Sequence, residues 1–383
     1  MIRTPLKNYA VNWADGMKLT RNHFIKADAH FHDAIRDACS TSLNSFNFGL
    51  LPPLEGQQAS LTIRSYPHPN SHVEVILESC NIVTSNGTRI VFWEGLFGDD
   101  PPRLSVKVED MEPEDASFYV VINISLFENI PFGSPDPEEI PLRHPFSCPK
   151  ISLQLMPKRQ TNSEYLGGYQ FIVGLLNWKD QRFEWENDYI PPSTCISSHQ
   201  SLVSFLEKIN VNLSYIKNHS VTIIRKNNFG NPVNNKLAQN TCNLCDEILE
   251  FISNNIFEIK YIIKEYPPIF LVNKFSLLAN RINTALLTLE DKQREELLQY
   301  YHEWENVRPV EFESILGELM ELNYNHADIR GALNSIERFI DMLLLLWKTL
   351  SKLEHIGQRK ENIVVREEIP PEANTDKKWN LLD

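Results

Sequence analysis

The spacing of apolar residues in the second part of the chain is typical of packed helices. Three stretches place apolar residues alternately four and three positions apart, at 202–216, 271–289 and 329–350. Such a seven-residue repeat keeps one face of a helix turned toward a neighbouring helix. The spacing therefore predicts a helical bundle over residues 193–356, with a further, less regular helix over 237–263.

The last repeat is the most regular, and two arrangements fit it. At ~1.5 Å per residue, its apolar stripe would be roughly 30 Å long. The stripe could form part of a four-helix core inside one subunit, or it could meet the same stripe of other copies at a trimer interface. We call its residues the bundle seam: Ile329, Leu333, Ile336, Ile340, Leu343, Trp347 and Leu350.

The first part of the chain has the pattern of antiparallel strands. Apolar residues occupy alternate positions from 73 to 77, and Asn86-Gly87 can supply the positive φ angles of a tight hairpin turn. β-branched and aromatic residues dominate three later stretches, at 118–127, 169–178 and 183–187. This pattern predicts several strands joined by tight turns.

Proline separates the two parts of the chain. Seventeen of the 23 prolines lie at or before Pro192, and proline disrupts the interior of a helix. One early helix is expected, over residues 22–40. We therefore predict an α+β chain, in which an N-terminal antiparallel β-sandwich over residues 1–192 is followed by a C-terminal α-helical bundle.

A proline-rich stretch at residues 131–149 cannot be a central strand, because proline donates no hydrogen bond to the ladder. It is either a disordered loop or an extended arm that lies on another surface. The candidate contact residues of such an arm are Asp136, Pro137, Glu138, Glu139, Pro141, Arg143 and Pro145.

The C-terminal tail, residues 357–383, is charged and contains Pro370-Pro371. Disorder is the default expectation for such a composition. The alternative is a terminal docking peptide that uses Trp379, Leu381 and Leu382.

The composition excludes some classes of function. A net charge of −13 disfavours binding to nucleic acid or to anionic lipid. The longest apolar run, Met342–Trp347, is far too short to span a membrane, so no direct membrane insertion is expected. The six cysteines are scattered, which favours a reducing compartment. We expect a cytoplasmic protein.

Candidate chemistry is sparse. Cys242-x-x-Cys245 lacks the second ligand pair of a structural zinc site, so buried helix cysteines are the better interpretation. His30 and His32 are two positions apart, so on a helix they point in different directions and share a metal poorly. Neither phosphate-binding nor hydrolase motifs occur. We expect no catalytic residue, no metal and no cofactor, and an assembly role.

Residues 11–31 contain the most distinctive local motif. Its landmarks are a tryptophan, an acidic-Gly-Met turn and a His-Phe pair at a helix start: Trp13, Asp15, Gly16, Met17, His23 and Phe24. This motif resembles the N-terminal signature of the TssK family, baseplate subunits of bacterial type VI secretion systems. The family often has proline before its His-Phe pair, where this chain has Arg21-Asn22.

Three further stretches resemble the same family in the same order, so the resemblance covers roughly residues 5–350. They are DPEEIPLRHPF at 136–146, DYIPPSTCISSHQSL at 188–202 and PPIFLVNKFSLLANRINTALLTL at 267–289. Each is weak alone, but together they follow the division into sandwich and bundle.

The resemblance implies a homotrimer with a sandwich similar to the shell domain of phage receptor-binding proteins. In the family, the sandwich binds the wedge proteins TssF and TssG, and a C-terminal head domain binds the membrane complex. Here the short tail leaves little room for such a head, so the membrane-complex partner is not identified by the resemblance. The implied location is the inner face of the cell envelope, reached through the secretion apparatus.

The large apolar residues of the N-terminal motif allow two interpretations. They either fasten the first helix to the sandwich core, which we favour, or they fill a pocket of a partner. We interpret His23 as a hydrogen-bonded core or cap residue. Two other functions are kept as alternatives: a phage-like receptor-binding protein whose sandwich recognises a glycan or a surface protein, and a hydrolase with a cleft in the sandwich.

Overall fold

A computed structural model describes residues 4–68, 72–93, 95, 100–107, 116–161, 166–179, 182–229 and 235–359. Antiparallel strands dominate the first part of the chain and helices dominate the second, as the sequence predicts. Among the helices in these residues, none combines the length and the apolarity needed to cross a membrane.

The first sheet is built around one long strand. Its strands are β1 (Gly49–Leu50), β2 (Leu61–His68), β3 (His72–Val83), β4 (Arg89–Trp93) and β5 (Arg103–Lys107). β3 pairs antiparallel with each of the other four. The predicted hairpin turn lies between β3 and β4, and Gly87 has a φ of 91° there.

The second sheet is also antiparallel and has the order β7-β6-β8-β9. Its strands are β6 (Ser117–Phe132), β7 (Phe146–Pro157), β8 (Gln170–Lys179) and β9 (Arg182–Trp185). The two sheets share one apolar core, to which β3 contributes Val75 and Leu77 and β6 contributes Val120 and Ile122. The predicted β-sandwich is confirmed, and the proline-containing β7 is an edge strand.

In the part of the chain that the structure describes, one helix, α1 (Arg21–Ser40), precedes the sandwich, and six others form the bundle. These are α2 (Gln200–Phe229), α3 (Lys236–Phe257), α4 (Pro268–Leu287), α5 (Asp291–Glu305), α6 (Pro309–Met320) and α7 (Ile329–Leu350). A π-helical turn (Glu258–Ile262) and a 3-10 turn (Ile263–Glu265) extend α3. The four-helix expectation was incomplete, because α5 and α6 also contribute to the core, for example through Tyr301 and Leu316.

The sandwich and the bundle meet at a hydrogen-bonded junction. Backbone hydrogen bonds join Leu50 N–H to the Pro192 carbonyl and Thr194 N–H to the Leu50 carbonyl, both at 2.8 Å. His326, before α7, lies 2.8 Å through Nε2 from the Phe48 carbonyl and 2.9 Å through Nδ1 from the Tyr324 hydroxyl. Because a carbonyl only accepts, Nε2 carries the proton and Nδ1 accepts from Tyr324.

His326 predicts a pH dependence of stability. Burial lowers the pKa of His326 from 6.5 to about 4. The native state therefore keeps the imidazole neutral while the unfolded state takes up a proton, so stability falls as the pH drops from 6.5 to 4. The loss should reach about 3 kcal/mol, to be measured as the free energy of urea unfolding across this pH range.

The matched variant is His326→Gln, which retains hydrogen-bonding groups and cannot titrate. It is expected to be less stable at neutral pH and to lose this part of the pH dependence. Identical pH profiles for the two proteins would show that folding does not change the pKa of His326.

Candidate functional site

The N-terminal segment and α1 carry several exposed apolar side chains, and the helical spacing of Phe24, Phe31 and Ile35 places these three on one face of α1. Trp13 is 51% exposed and Phe24 is 55% exposed. Their rings contact each other, with centroids 6.5 Å apart. We call the whole set the anchor surface: Tyr9, Trp13, Leu19, Phe24, Ile25, Phe31 and Ile35. Contiguous exposed apolar side chains of this kind mark interaction sites on soluble proteins.

The inner face of α1 is polar, which reverses the usual orientation of a surface helix. Its buried residues are Asp33, Arg36 and Ser40. Asp33 is 0% exposed, and Arg36 Nε donates to its Oδ1 at 2.8 Å. The helix is therefore held to the protein by charged groups, and its apolar residues point outward.

Asp33 also holds the segment that precedes α1. The backbone N–H groups of Lys7 and Asn8 donate to Asp33 Oδ2 at 2.6 and 2.9 Å. Burial alone would raise the pKa of Asp33, but these two N–H groups and the Arg36 guanidinium together keep that pKa below its usual value. The carboxylate is thus ionised and fully engaged with its neighbours at neutral pH.

The β3–β4 turn accepts α1 at very close range because it contains glycine. A Cβ on Gly87 would lie 2.4 Å from the Arg36 carbonyl oxygen and 2.7 Å from the Ser40 nitrogen. Arg36 Nη1 also approaches the Asn86 carbonyl at 3.5 Å. The predicted hairpin turn therefore has a second role, because α1 packs directly against it.

The motif residues divide into exposed and supporting positions. The favoured expectation, that the large apolar groups fasten α1 to the core of the same chain, is wrong for Trp13 and Phe24. Asp15 and Gly16 are exposed in a turn, and Met17 is half-buried. His23 Nδ1 accepts a hydrogen bond from the Thr20 backbone N–H at 3.3 Å at the start of α1, as a cap residue does.

The proline-rich stretch forms a projecting hairpin, which we call the arm. Its stem pairs Asn129–Phe132 of β6 with Phe146–Pro149 of β7, beyond a bulge after Ser125. The structure describes an ordered hairpin here, and the surface on which such an arm would lie stays a prediction.

The tip of the arm is tied together by its own side chains. Arg143 Nη2 donates to Glu139 Oε1 at 2.7 Å, and Asp136 Oδ1 accepts from the Glu138 backbone N–H at 2.9 Å. Ile140 is 97% exposed, and Pro137, Pro141, Leu142 and Pro145 are exposed as well. The arm presents an apolar tip between acidic groups.

A cleft of about 650 Å³ opens at the edge of the sandwich, beside α1 and the base of the arm. Ile35 of α1, Val91 and Phe92 of β4, and Ile124 and Ile151 of the second sheet contribute apolar walls. Arg89, Arg103 and Lys150 are charged residues at its rim. We call this space the edge cleft.

The bundle seam lies inside a single subunit. All seven of its residues, Ile329, Leu333, Ile336, Ile340, Leu343, Trp347 and Leu350, are at most 1% exposed. Of the two arrangements that fit the repeat, the structure has the core of one subunit. Contacts between copies would have to use other residues.

The cysteine pair and His30 are not arranged as a binding or catalytic site. Cys242 and Cys245 are buried in α3, and burial raises the pKa of both thiols. His30 Nδ1 donates to the Asn8 carbonyl at 3.1 Å. Within the described ranges, no cluster of three or more His, Cys, Asp or Glu side chains is arranged to hold a metal ion. Trp379, Leu381 and Leu382 lie outside the described residues.

Sequence comparison gives no relative: no family model matches the chain, and no curated protein matches it. Comparison with solved structures does find similar proteins. A crystal structure of TssK superposes with a TM-score of 0.53 at 13% identity, over 90% of this chain and 69% of that one. The chain therefore shares the fold of TssK.

Two other solved structures match more loosely. TssK of the EAEC type VI secretion system, in complex with a nanobody, gives a TM-score of 0.46 at 14% identity, over 83% of this chain and 96% of that one. A TssK–TssF–TssG baseplate subcomplex gives 0.49 at 12% identity, over 88% of this chain and 99% of that one. At these scores neither match adds to the argument from the fold.

Proposed function

We propose that this chain is a structural, non-enzymatic baseplate component of a type VI secretion system. In this proposal it acts as a homotrimeric adaptor that binds the wedge proteins TssF and TssG through its N-terminal part. The shared fold supports the class of protein, and the exposed anchor surface supports the mode of binding.

The observation that carries the proposal is the reversed orientation of α1. A helix that buries Asp33 and Arg36 and exposes Phe24, Phe31 and Ile35 leaves its apolar face uncovered in the described chain. Buried aromatic anchors dominate the binding energy of most protein interfaces. An anchor surface containing Trp13 and Phe24 is suited to a pocket on the wedge.

The test is binding of purified TssF–TssG to the variant Trp13→Asp with Phe24→Asp. Because both side chains are more than half exposed, the fold should tolerate the change. Losing two aromatic anchors should weaken binding by about 30-fold or more. Biolayer interferometry against the wedge proteins gives the dissociation constant, and circular dichroism checks the fold.

The matched control is Leu287→Asp, an exposed apolar residue of the bundle. It should bind the wedge as the unaltered chain does. Wedge binding that survives the double substitution would move the contact away from the anchor surface and remove the main support for this function.

A link to the envelope completes the proposed role. The chain would connect the wedge to a component of the membrane complex from the cytoplasmic side. The candidate contact on that side is the C-terminal tail with Trp379, Leu381 and Leu382.

A further inference from the structure

We propose that the arm of one copy inserts its apolar tip into the edge cleft of a neighbouring copy, and that this exchange joins the copies of the trimer. The inference rests on the homotrimer of the proposed function and assigns the surfaces that form it. The two surfaces share Ile35, but the exchange uses neither Trp13 nor Phe24, the residues that the wedge-binding test replaces.

The arm has the features of a group that is buried only in an assembly. Ile140 is 97% exposed, and Leu142 and Phe146 are more than 60% exposed. The Arg143–Glu139 ion pair and the Asp136 turn keep the loop in one shape, so little entropy is lost when it docks. Such a preordered apolar tip is suited to a complementary pocket.

The edge cleft has the complementary features. Its walls are apolar, and it lies between the outer edges of β4 and β7. The arm of the same chain does not fill it, because Ile140 is almost fully exposed. The cleft is large enough for several side chains of an extended segment.

Charge favours the pairing of these two surfaces. Three of the cations that line the cleft already have carboxylate partners: Arg36 with Asp33 at 2.8 Å, Arg103 with Glu74 at 3.8 Å and Lys150 with Glu128 at 2.9 Å. Among the described residues, Arg89 is the lining cation that can attract an acidic partner. The arm from 133 to 145 has three carboxylates and one arginine, a balance of −2: Asp136, Glu138, Glu139 and Arg143. Opposite charges of this kind select the partner and fix its orientation.

One ionic contact can be named. Arg89 is exposed at the cleft, and its guanidinium donates to the Ile82 carbonyl at 2.9 Å, without a carboxylate partner in the described chain. Glu138 is exposed on the arm, and its carboxylate is likewise unpaired among the described residues. We assign these two groups to each other across the interface.

An exchange of this kind leads to a closed ring of copies. The arm and the cleft are different surfaces, so the contact is head-to-tail, and such contacts end only when they close into a ring. The base of the arm lines its own cleft through Ile130, Cys148 and Lys150. Each copy would therefore give an arm and receive one at the same corner of the sandwich.

Cysteine cross-linking tests the contact in the full-length chain. Cys148 lines the cleft and is partly exposed, while Cys39 is exposed and does not belong to the cleft lining. The variant Ile140→Cys, with Cys39→Ser to remove background, should give covalent dimers and trimers with a short bismaleimide. Adding Cys148→Ser should abolish them. Val310→Cys, at an exposed site on α6, should give none.

Charge exchange gives a second readout by light scattering. Glu138→Arg and Arg89→Glu should each shift the trimer toward monomer, by roughly tenfold or more in the dissociation constant for a close ion pair. The double variant should restore the trimer.

The outcomes separate the two proposals. A trimer that forms without Ile140→Cys cross-links, or that ignores the charge changes, overturns the arm exchange and leaves the adaptor function in place. Cross-links that persist with Cys148→Ser also overturn it. A chain that stays monomeric at micromolar concentration overturns both the arm exchange and the homotrimer.

Discussion

Replacing Asp33 with alanine is expected to release α1 from the sandwich while the strands and the bundle stay folded. The substitution leaves the Arg36 guanidinium, which is 2% exposed, without its carboxylate. It also removes the acceptor of the Lys7 and Asn8 backbone N–H groups. Breaking one half of a buried ion pair costs about 3–5 kcal/mol. That is enough to detach a helix whose apolar face makes few contacts of its own.

Hydrogen–deuterium exchange is the direct measurement. Amides of residues 21–40 should lose protection in Asp33→Ala, while those of β6 and α7 keep theirs. The neighbouring Asp37→Ala is the control, because its carboxylate is 3.7 Å from Arg36 and 44% exposed, and such pairs are worth at most about 1 kcal/mol. Unchanged protection of α1 in Asp33→Ala would mean that the ion pair does not hold the helix.

The same variant also tests whether wedge binding requires α1 to be held in place or only the presence of Trp13 and Phe24. Trp13 and Phe24 remain in Asp33→Ala, but the helix that presents them is no longer fixed. Wedge binding should therefore fall, as it does when the two aromatic residues are removed. A fully retained affinity would indicate that the wedge binds the N-terminal segment alone. The attachment of α1 through Asp33 and Arg36 would then not be required for binding.

The parts of the fold that were predictable depend on local rules. The seven-residue spacing of α7 and the Asn86-Gly87 turn follow from helix geometry and from the φ angles that glycine permits. Helix α5 escaped prediction because its sequence is mostly polar and its buried residues come in adjacent pairs, Leu297-Leu298 and Tyr300-Tyr301. Helix α6 begins at Pro309, since proline suits the first helical position.

The orientation of α1 could not be derived from its own pattern. Its apolar residues predict burial, and the outcome is reversed by distant groups: two backbone N–H donors at Lys7 and Asn8, and the glycine turn at Gly87. Nothing in residues 21–40 shows that a carboxylate there has buried partners. Hydrogen bonds between remote segments decide which face is inward, and such contacts have no periodic signal.

The edge cleft was missed for a related reason. Its rim joins Arg89, Arg103 and Lys150, which lie on three different strands. In the sequence each is an ordinary charged residue within or at the end of a strand. The arm could be predicted because its prolines are closely spaced in the sequence, whereas the cleft exists only after the two sheets have packed.

Replacing Trp347 with alanine is expected to destabilise the bundle by about 3–5 kcal/mol, the cost of deleting a large aromatic side chain from a core. Trp347 is fully buried, and its ring lies 6.2 Å from that of Tyr301 in α5. The helical circular dichroism signal should be lost at a lower urea concentration. The exposed Leu345→Ala on the same helix should shift that midpoint little.

The assembly state of Trp347→Ala decides between the two roles first open to the bundle seam. Since the seam is enclosed in one subunit, light scattering below the unfolding transition should give the same particle mass as for the unaltered chain. A seam shared between copies would instead release smaller, still helical particles before unfolding. That second result would contradict the burial of Ile340, Leu343 and Trp347 within one chain, and with it the assignment of the contact between copies to the arm and the edge cleft.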